Sequence, residues 1–300
     1  MSAFDFDPDA LTSVLKQPNG PILRGAHAVD RESRVMSALG QQGVPVPNTV
    51  FYHENPSDLG TPFYLMDRVE GRVFDDCALP GMTPEERQAI YFGMADAMAQ
   101  MYSIDPQVAG LGDYGKPGDY FQRQITRWTR QLRASTGDPI AELDRLAEWL
   151  PSQVPPEDGH VSVAHGDFRL GNMMFHPTEP RVVAILDWEL STLGHPLADL
   201  GFCCMTWHSS PEEYGGIRGH DLNALGIPSK QEFVDRYYAS ANPTKALQDF
   251  HVVFSLFRFA VIFVGIADRA RAGNASSANA ADIGPLARAF ALRALEIVEA

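Results

Sequence analysis

Three polar residues stand in an order that suits one kind of chemistry. Asp167 and Asn172 lie in the pattern H-x-D-x-x-x-x-N that begins at His165, and Asp187 follows about twenty residues after Asp167. In phosphoryl transfer one carboxylate accepts or orients the proton of an attacking hydroxyl. A second carboxylate and a carboxamide hold Mg2+ against the phosphates of ATP. Mg2+ takes oxygen ligands and keeps several waters, so one Asp and one Asn suffice from the protein. A lone Asp after a strand is ordinarily a turn or capping residue; the joint spacing singles these three out. Clustered carboxylates also suit metal-dependent phosphohydrolysis, but the single Asn and the lack of a His-rich set speak against a two-metal site.

Such residues need loops that leave strands. Residues 161–164 read as a short apolar strand delivering His165-Gly166-Asp167, and residues 182–186 as a second one delivering Asp187-Trp188-Glu189. Asp199 closes the stretch. Before it, the spacing of Val29, Val35, Met36 and Leu39 predicts a helix over 29–39, and residues 49–52 and 62–66 read as strands. Residues 9–15 fit a helix started by Asp7-Pro8-Asp9, and 14–16 fit a strand end equally well. After a hinge-like DRVEG at 67–71 the chain turns helical. Thr83, Pro84 and Glu86 form a capping box that opens a helix over 83–105. Further helices are expected over 120–135, 139–150, 231–239, 245–266 and 285–299. The pattern is α+β: a small lobe and hinge over 1–70, then a large, mainly helical lobe over 71–300, with a ligand cleft between them.

Composition narrows the partners. The 300 residues carry a formal net charge of −14, which argues against nucleic acid. The opening MSAFDFDPDA has no basic region followed by an apolar run, as a signal peptide would. Residues 254–266 are apolar but short for a membrane span, and Arg258 sits among them. The three cysteines, Cys77, Cys203 and Cys204, form no disulfide or metal-ligand framework. These features predict a cytoplasmic protein with neither membrane nor nucleic-acid partner.

The segments HGDFRLGN and LDWELSTLGHPLADL resemble the aminoglycoside phosphotransferase/choline kinase branch of the kinase-like fold. The likeness is closest to phosphotransferase domains related to those fused to acyl-CoA dehydrogenases. AHAVDRESRVMSAL, GTPFYLMDRVEGRVF, GDYFQRQITRW and FRFAVIFVGIADRARAGNASS extend the resemblance over about residues 14–300. It implies a two-lobed, protein-kinase-like fold and an ATP- and Mg2+-dependent transfer of phosphate to a small-molecule hydroxyl. The acceptor would be aminoglycoside-like, a hydroxyacyl-CoA or another alcohol. Asp167 is then the base, and Asn172 and Asp187 are the metal ligands. Glu189 is a further metal contact, Arg169 a phosphate or substrate contact, and His165 and Asp199 supports of the loop. Lys16 and its helix partner Glu32 would hold phosphates, and Met66, Asp67 and Val69 would line the adenine.

One departure stands out. Relatives carry two strands and a Gly-rich loop before the phosphate-binding lysine, whereas only fifteen residues precede Lys16 and none is Gly. The small lobe is therefore expected to be truncated, with a bared sheet edge that favours a homodimer. The rival expectation is a catalytically impaired kinase-like protein that binds a small molecule or a partner. Tyr120, Arg127, Trp207 and Arg258 are expected to line the acceptor cleft.

Overall fold

In the computed structural model, residues 13–16, 28–56, 60–241, 244–271 and 284–300 are described. The chain before residue 70 forms β1 (Ser13–Lys16), α1 (Val29–Gln41), β2 (Thr49–His53) and β3 (Phe63–Asp67). The strands make one antiparallel sheet in the order β1-β3-β2. β3, paired on both edges, buries Phe63, Tyr64 and Leu65 in succession. Lys16 stands opposite Tyr64 in the register, as does Tyr52 from the other side. The helix reading of 9–15 thus fails at 13–15, where the backbone finds a ladder partner in β3. Residues 9–12 and the stretch expected to lack the Gly-rich loop fall outside the described residues.

α1 is amphipathic. Val35, Met36 and Leu39 enter the core, while Arg31 and Arg34 reach toward a loop that follows the next helix. Arg31 Nη2 donates to the Tyr114 carbonyl at 2.8 Å, its guanidinium lies 4.0 Å from the centre of the Tyr114 ring, and Tyr114 OH returns a bond to the Arg31 carbonyl at 3.2 Å. Arg34 donates to the Gly110 carbonyl at 2.9 Å and pairs with Asp113.

The rest is helical around short strands: α2 (Pro84–Tyr102), α3 (Tyr120–Arg133), α4 (Ala141–Trp149), β4 (Ser162–Ala164), β5 (Met173–Phe175), β6 (Val182–Ile185), β7 (Thr192–Gly194), α5 (Pro196–Cys204), α6 (Leu222–Leu225), α7 (Lys230–Ser240), α8 (Asp249–Arg271) and α9 (Gly284–Val298). The capping box of α2 forms as the sequence predicts, with Pro84 inside it. The two central strands fall in separate sheets: β4 pairs with β7, and β6 pairs with β5. The helix expected from 245 begins at Asp249, because His251 Nδ1 accepts the Gln248 N–H at 3.0 Å and closes the helix start there. α5 and α6 were not anticipated. His195 caps α5 by accepting the Leu197 N–H at 3.2 Å.

α8 is the axis of the core. It packs on α3, α5 and α9, and every residue from Phe250 to Val261 is buried. Among the described residues it is the one helix long and apolar enough to cross a membrane, with 83% of its most apolar window buried inside the protein. Its 23 residues exceed the run visible in the sequence.

Candidate active site

The loop after β4 is fixed mainly through its backbone. Asp199, fully buried on α5, accepts the N–H of His165 at 2.6 Å, the N–H of Gly166 at 3.0 Å and the hydroxyl of Tyr102. His165 is likewise buried, against Trp188 at 4.7 Å between ring centres. Its Nδ1 accepts the Asp167 N–H at 3.2 Å, which sets the proton of the neutral ring on Nε2, donating to the Leu186 carbonyl at 2.9 Å. His165 thus ties the loop after β4 to the end of β6. Cys203 anchors the same loop through the Phe168 carbonyl at 2.9 Å.

Asp167 emerges from this frame with its side chain 22% exposed. Its Oδ2 accepts from Asn172 Nδ2 at 2.7 Å and from Arg169 Nε at 3.3 Å. Among the described residues nothing donates to Oδ1. Asn172 Nδ2 also reaches the Asp167 carbonyl at 2.9 Å, so both bonds of that amide turn toward Asp167 and its Oδ1 is left without a donor among the described residues.

The β5–β6 hairpin sets the second carboxylate. Met173 faces Ile185, and the Leu186 N–H donates to the Asn172 carbonyl at 2.8 Å. Asn172 and Asp187 therefore leave the same end of one hairpin. Asp187 is exposed and takes a left-handed backbone, φ +64°, before the short turn Trp188–Leu190 that carries the exposed Glu189. The donor set fits a hard dication. It offers an amide oxygen and a carboxylate from one end of the β5–β6 hairpin, and leaves the remaining positions to water and phosphate. Among the described residues no three His, Cys, Asp or Glu converge as a closed metal cage.

The small lobe contributes Glu32 and Tyr64. Glu32 is buried, and its Oε2 accepts from Tyr64 OH at 3.0 Å. Burial, then the negative charges of Glu32 and Asp187, hold the Tyr64 phenol well above its ordinary range. Tyr64 thus feels both carboxylates. Lys16 stands across the ladder from it. Met66 is half-buried, and Asp67 is exposed at the end of β3, where its N–H and carboxylate both meet Asn48. Val69, also half-buried, follows in the segment that turns onto the hairpin. There Arg72 and Phe175 exchange two backbone bonds of 2.8 Å, and Gly71 comes so close that a Cβ would lie 2.4 Å from the Phe175 carbonyl oxygen.

Beside Arg169 is a cavity of about 60 Å³, with an apolar floor that includes Met94, Phe202, Cys203 and Phe259. Tyr214 lines it as well, its ring 5.7 Å from the Arg169 guanidinium. The four expected cleft residues do not line it. Tyr120 and Arg258 are buried, Arg127 lies on the outer face of α3, and Trp207 packs on Tyr91 and Phe233 while donating to the Pro228 carbonyl. A separate cavity of about 90 Å³ by Phe121, His160 and His251 is lined by Tyr120 but by none of the other candidate residues. Burial pushes the Cys77 thiol up to about 11, so it is no thiolate at neutral pH. Tyr102, which sequence reasoning missed, carries no local signal, since its partner Asp199 is 97 residues away.

A small sheet and helix joined by a hinge to a helical body, with acids on two loops at the junction, is the architecture of the kinase-like phosphotransferases. The sequence matches the phosphotransferase enzyme family over residues 6–230. A crystal structure of a candidate aminoglycoside phosphotransferase from Ralstonia eutropha JMP134 superposes with a TM-score of 0.87 at 45% identity, covering 96% of this chain and 92% of the other. Mouse acyl-CoA dehydrogenase family member 10 is 42% identical over 279 residues, which is 92% of this chain but 26% of that protein. The chain thus spans about a quarter of that relative's length. An aminoglycoside phosphotransferase from Streptomyces rimosus, solved with ADP and streptomycin, shares the fold with a TM-score of 0.55 at 19% identity, over 82% of this chain and 87% of its own. The chain belongs to the phosphotransferase enzyme family, with the aminoglycoside phosphotransferase-like fold, as the sequence resemblance implies.

Proposed function

We propose that this chain transfers the γ-phosphate of ATP to a hydroxyl of a small molecule, with Mg2+ as cofactor. The observation that carries the reading is the Asp167 carboxylate, whose Oδ2 is fixed by Asn172 and Arg169 while Oδ1 stays open. An acceptor hydroxyl that meets Oδ1 loses its proton there as its oxygen bonds to the γ-phosphorus. The bond from that phosphorus to the bridging oxygen breaks, and ADP leaves. Asn172 Oδ1 and Asp187 are placed to hold Mg2+, which when bound neutralises phosphate charge. Glu189 is near enough in sequence to join through water. Glu32, Tyr64 and Lys16 bound the phosphate side, and the chain from Met66 through Asp67 to Val69 bounds the base side. His165 and Asp199 keep the loop in place.

The acceptor is a hydroxyacyl-CoA, an aminoglycoside-like compound or another small alcohol. Relatedness to a protein named for acyl-CoA dehydrogenation supports the first of these. The test is transfer of labelled γ-phosphate in the presence of Mg2+ across a panel of these three classes. Asp167→Asn should lower kcat by about 100- to 10,000-fold, the range for a positioned proton acceptor. Equal turnover by wild type and variant would overturn the reading.

A further inference from the structure

Arg258 lies in the middle of α8, 92 residues beyond the loop it contacts, and is 7% exposed. Its guanidinium sits 5.7 Å from the centre of the Trp128 ring and 5.8 Å from that of Phe202. A buried cation is costly unless it is paired or well hydrogen-bonded. Among the described residues Arg258 makes one hydrogen bond, from Nη2 to the carbonyl of Gly166.

That carbonyl belongs to the peptide group directly before Asp167. The N–H of the same peptide is the one held by His165 Nδ1 at 3.2 Å. Gly166 has φ +87° and no side chain, so its own sterics restrain this peptide plane little. Asp199 fixes the N–H groups of His165 and Gly166, two peptides and one peptide earlier, and does not reach it. A turn of the Gly166–Asp167 plane would swing the Asp167 carboxylate while leaving the Asp199 bonds intact.

We infer that Arg258 is a positioning residue. It locks the peptide plane before Asp167 and so sets the direction of the Asp167 carboxylate. The aromatic pair Trp128 and Phe202 in turn holds the guanidinium plane on α8. For catalysis the inference rests on the phosphotransfer reading above; for the peptide plane it does not, and the two can fail separately.

The test uses the full chain with Arg258→Met, which keeps most of the stem and loses the donors, and Arg258→Lys, which keeps charge and a donor. Amide hydrogen exchange is followed over residues 165–172 and over α8 and α9, alongside ATP turnover. Arg258→Met should raise exchange about tenfold in 165–172 alone. It should also lower kcat by about 10- to 100-fold with KM for ATP within about twofold, as a small misplacement of a reacting group does. Arg258→Lys should restore part of both. Wild-type exchange and kcat in Arg258→Met would overturn the inference. So would an exchange increase spread evenly over α8 and α9 in both variants, since that is lost packing. A local exchange increase in Arg258→Met, with no phosphotransfer by the wild-type chain, would leave the peptide lock standing and remove the functional reading.

Discussion

Asp199 shows how much a single buried carboxylate can organise. It takes two backbone N–H groups from the loop after β4 and the Tyr102 hydroxyl, all without contact with water. Asp199→Ala strands three donors, and the expected loss is about 3 kcal/mol or more of unfolding free energy in urea titration. Tyr102→Phe removes one donor and should cost about 1 kcal/mol. A loss for Asp199→Ala no larger than that for Tyr102→Phe would contradict this arrangement. At this scale the sequence was legible where chemistry dictates spacing. Asp167, Asn172 and Asp187 could be singled out as candidates because the strand ends that carry them are close in the chain. Tyr102 and the bond of Arg258 could not, because each meets its partner from about a hundred residues away, and no local pattern records such a pairing.

Among the elements, legibility followed length and amphipathicity. α2 and α7 open with capping boxes, Thr83 with Glu86 and Ser229 with Glu232, and short signals of this kind survive in sequence. α5 is nine residues long and buried all round, so it has no polar face and no helical period to read. β5 and β7 have three residues each, too few to alternate. The join between hinge and hairpin was visible only as the glycine of DRVEG. Gly71 packs on Met174 and on the Phe175 backbone, and the backbone cannot step aside for a Cβ. Gly71→Ala should therefore destabilise by about 1–3 kcal/mol. It should also weaken ATP binding, because it displaces the segment after Asp67 relative to the β5–β6 hairpin. An unchanged melting temperature together with unchanged ATP affinity would show that the join yields freely.

For the molecule as a whole, pH is the informative variable. Burial holds His251 down to about 4. Burial and the neighbouring Lys230 ammonium do the same for His208. Free histidine titrates near 6.5, so between these values the unfolded chain binds protons that the folded chain refuses. Stability contributed by the two neutral rings is complete above pH 6.5 and is lost as the pH falls toward 4. Each group tilts unfolding free energy by up to about 1.4 kcal/mol per pH unit in that window. Urea titrations from pH 7 to 4.5 should show the decline, and His208→Gln should flatten part of it. A wild-type free energy independent of pH over that range would refute the burial of these rings.

The attachment of α1 has a mechanical consequence. Arg31 and Arg34 fasten this helix to the 110–114 loop of the large lobe, and Tyr114 is itself bonded to Ser191 Oγ at 2.8 Å. The Pro45 carbonyl, just beyond the helix, accepts the Ile185 N–H of β6 at 2.8 Å. A helix so bolted cannot act as a lever. Glu32 rides on a part fixed to the loops that carry Asp167 and Asp187. On this construction the helix keeps one position relative to the loops after β4 and β6, whatever occupies the space between them.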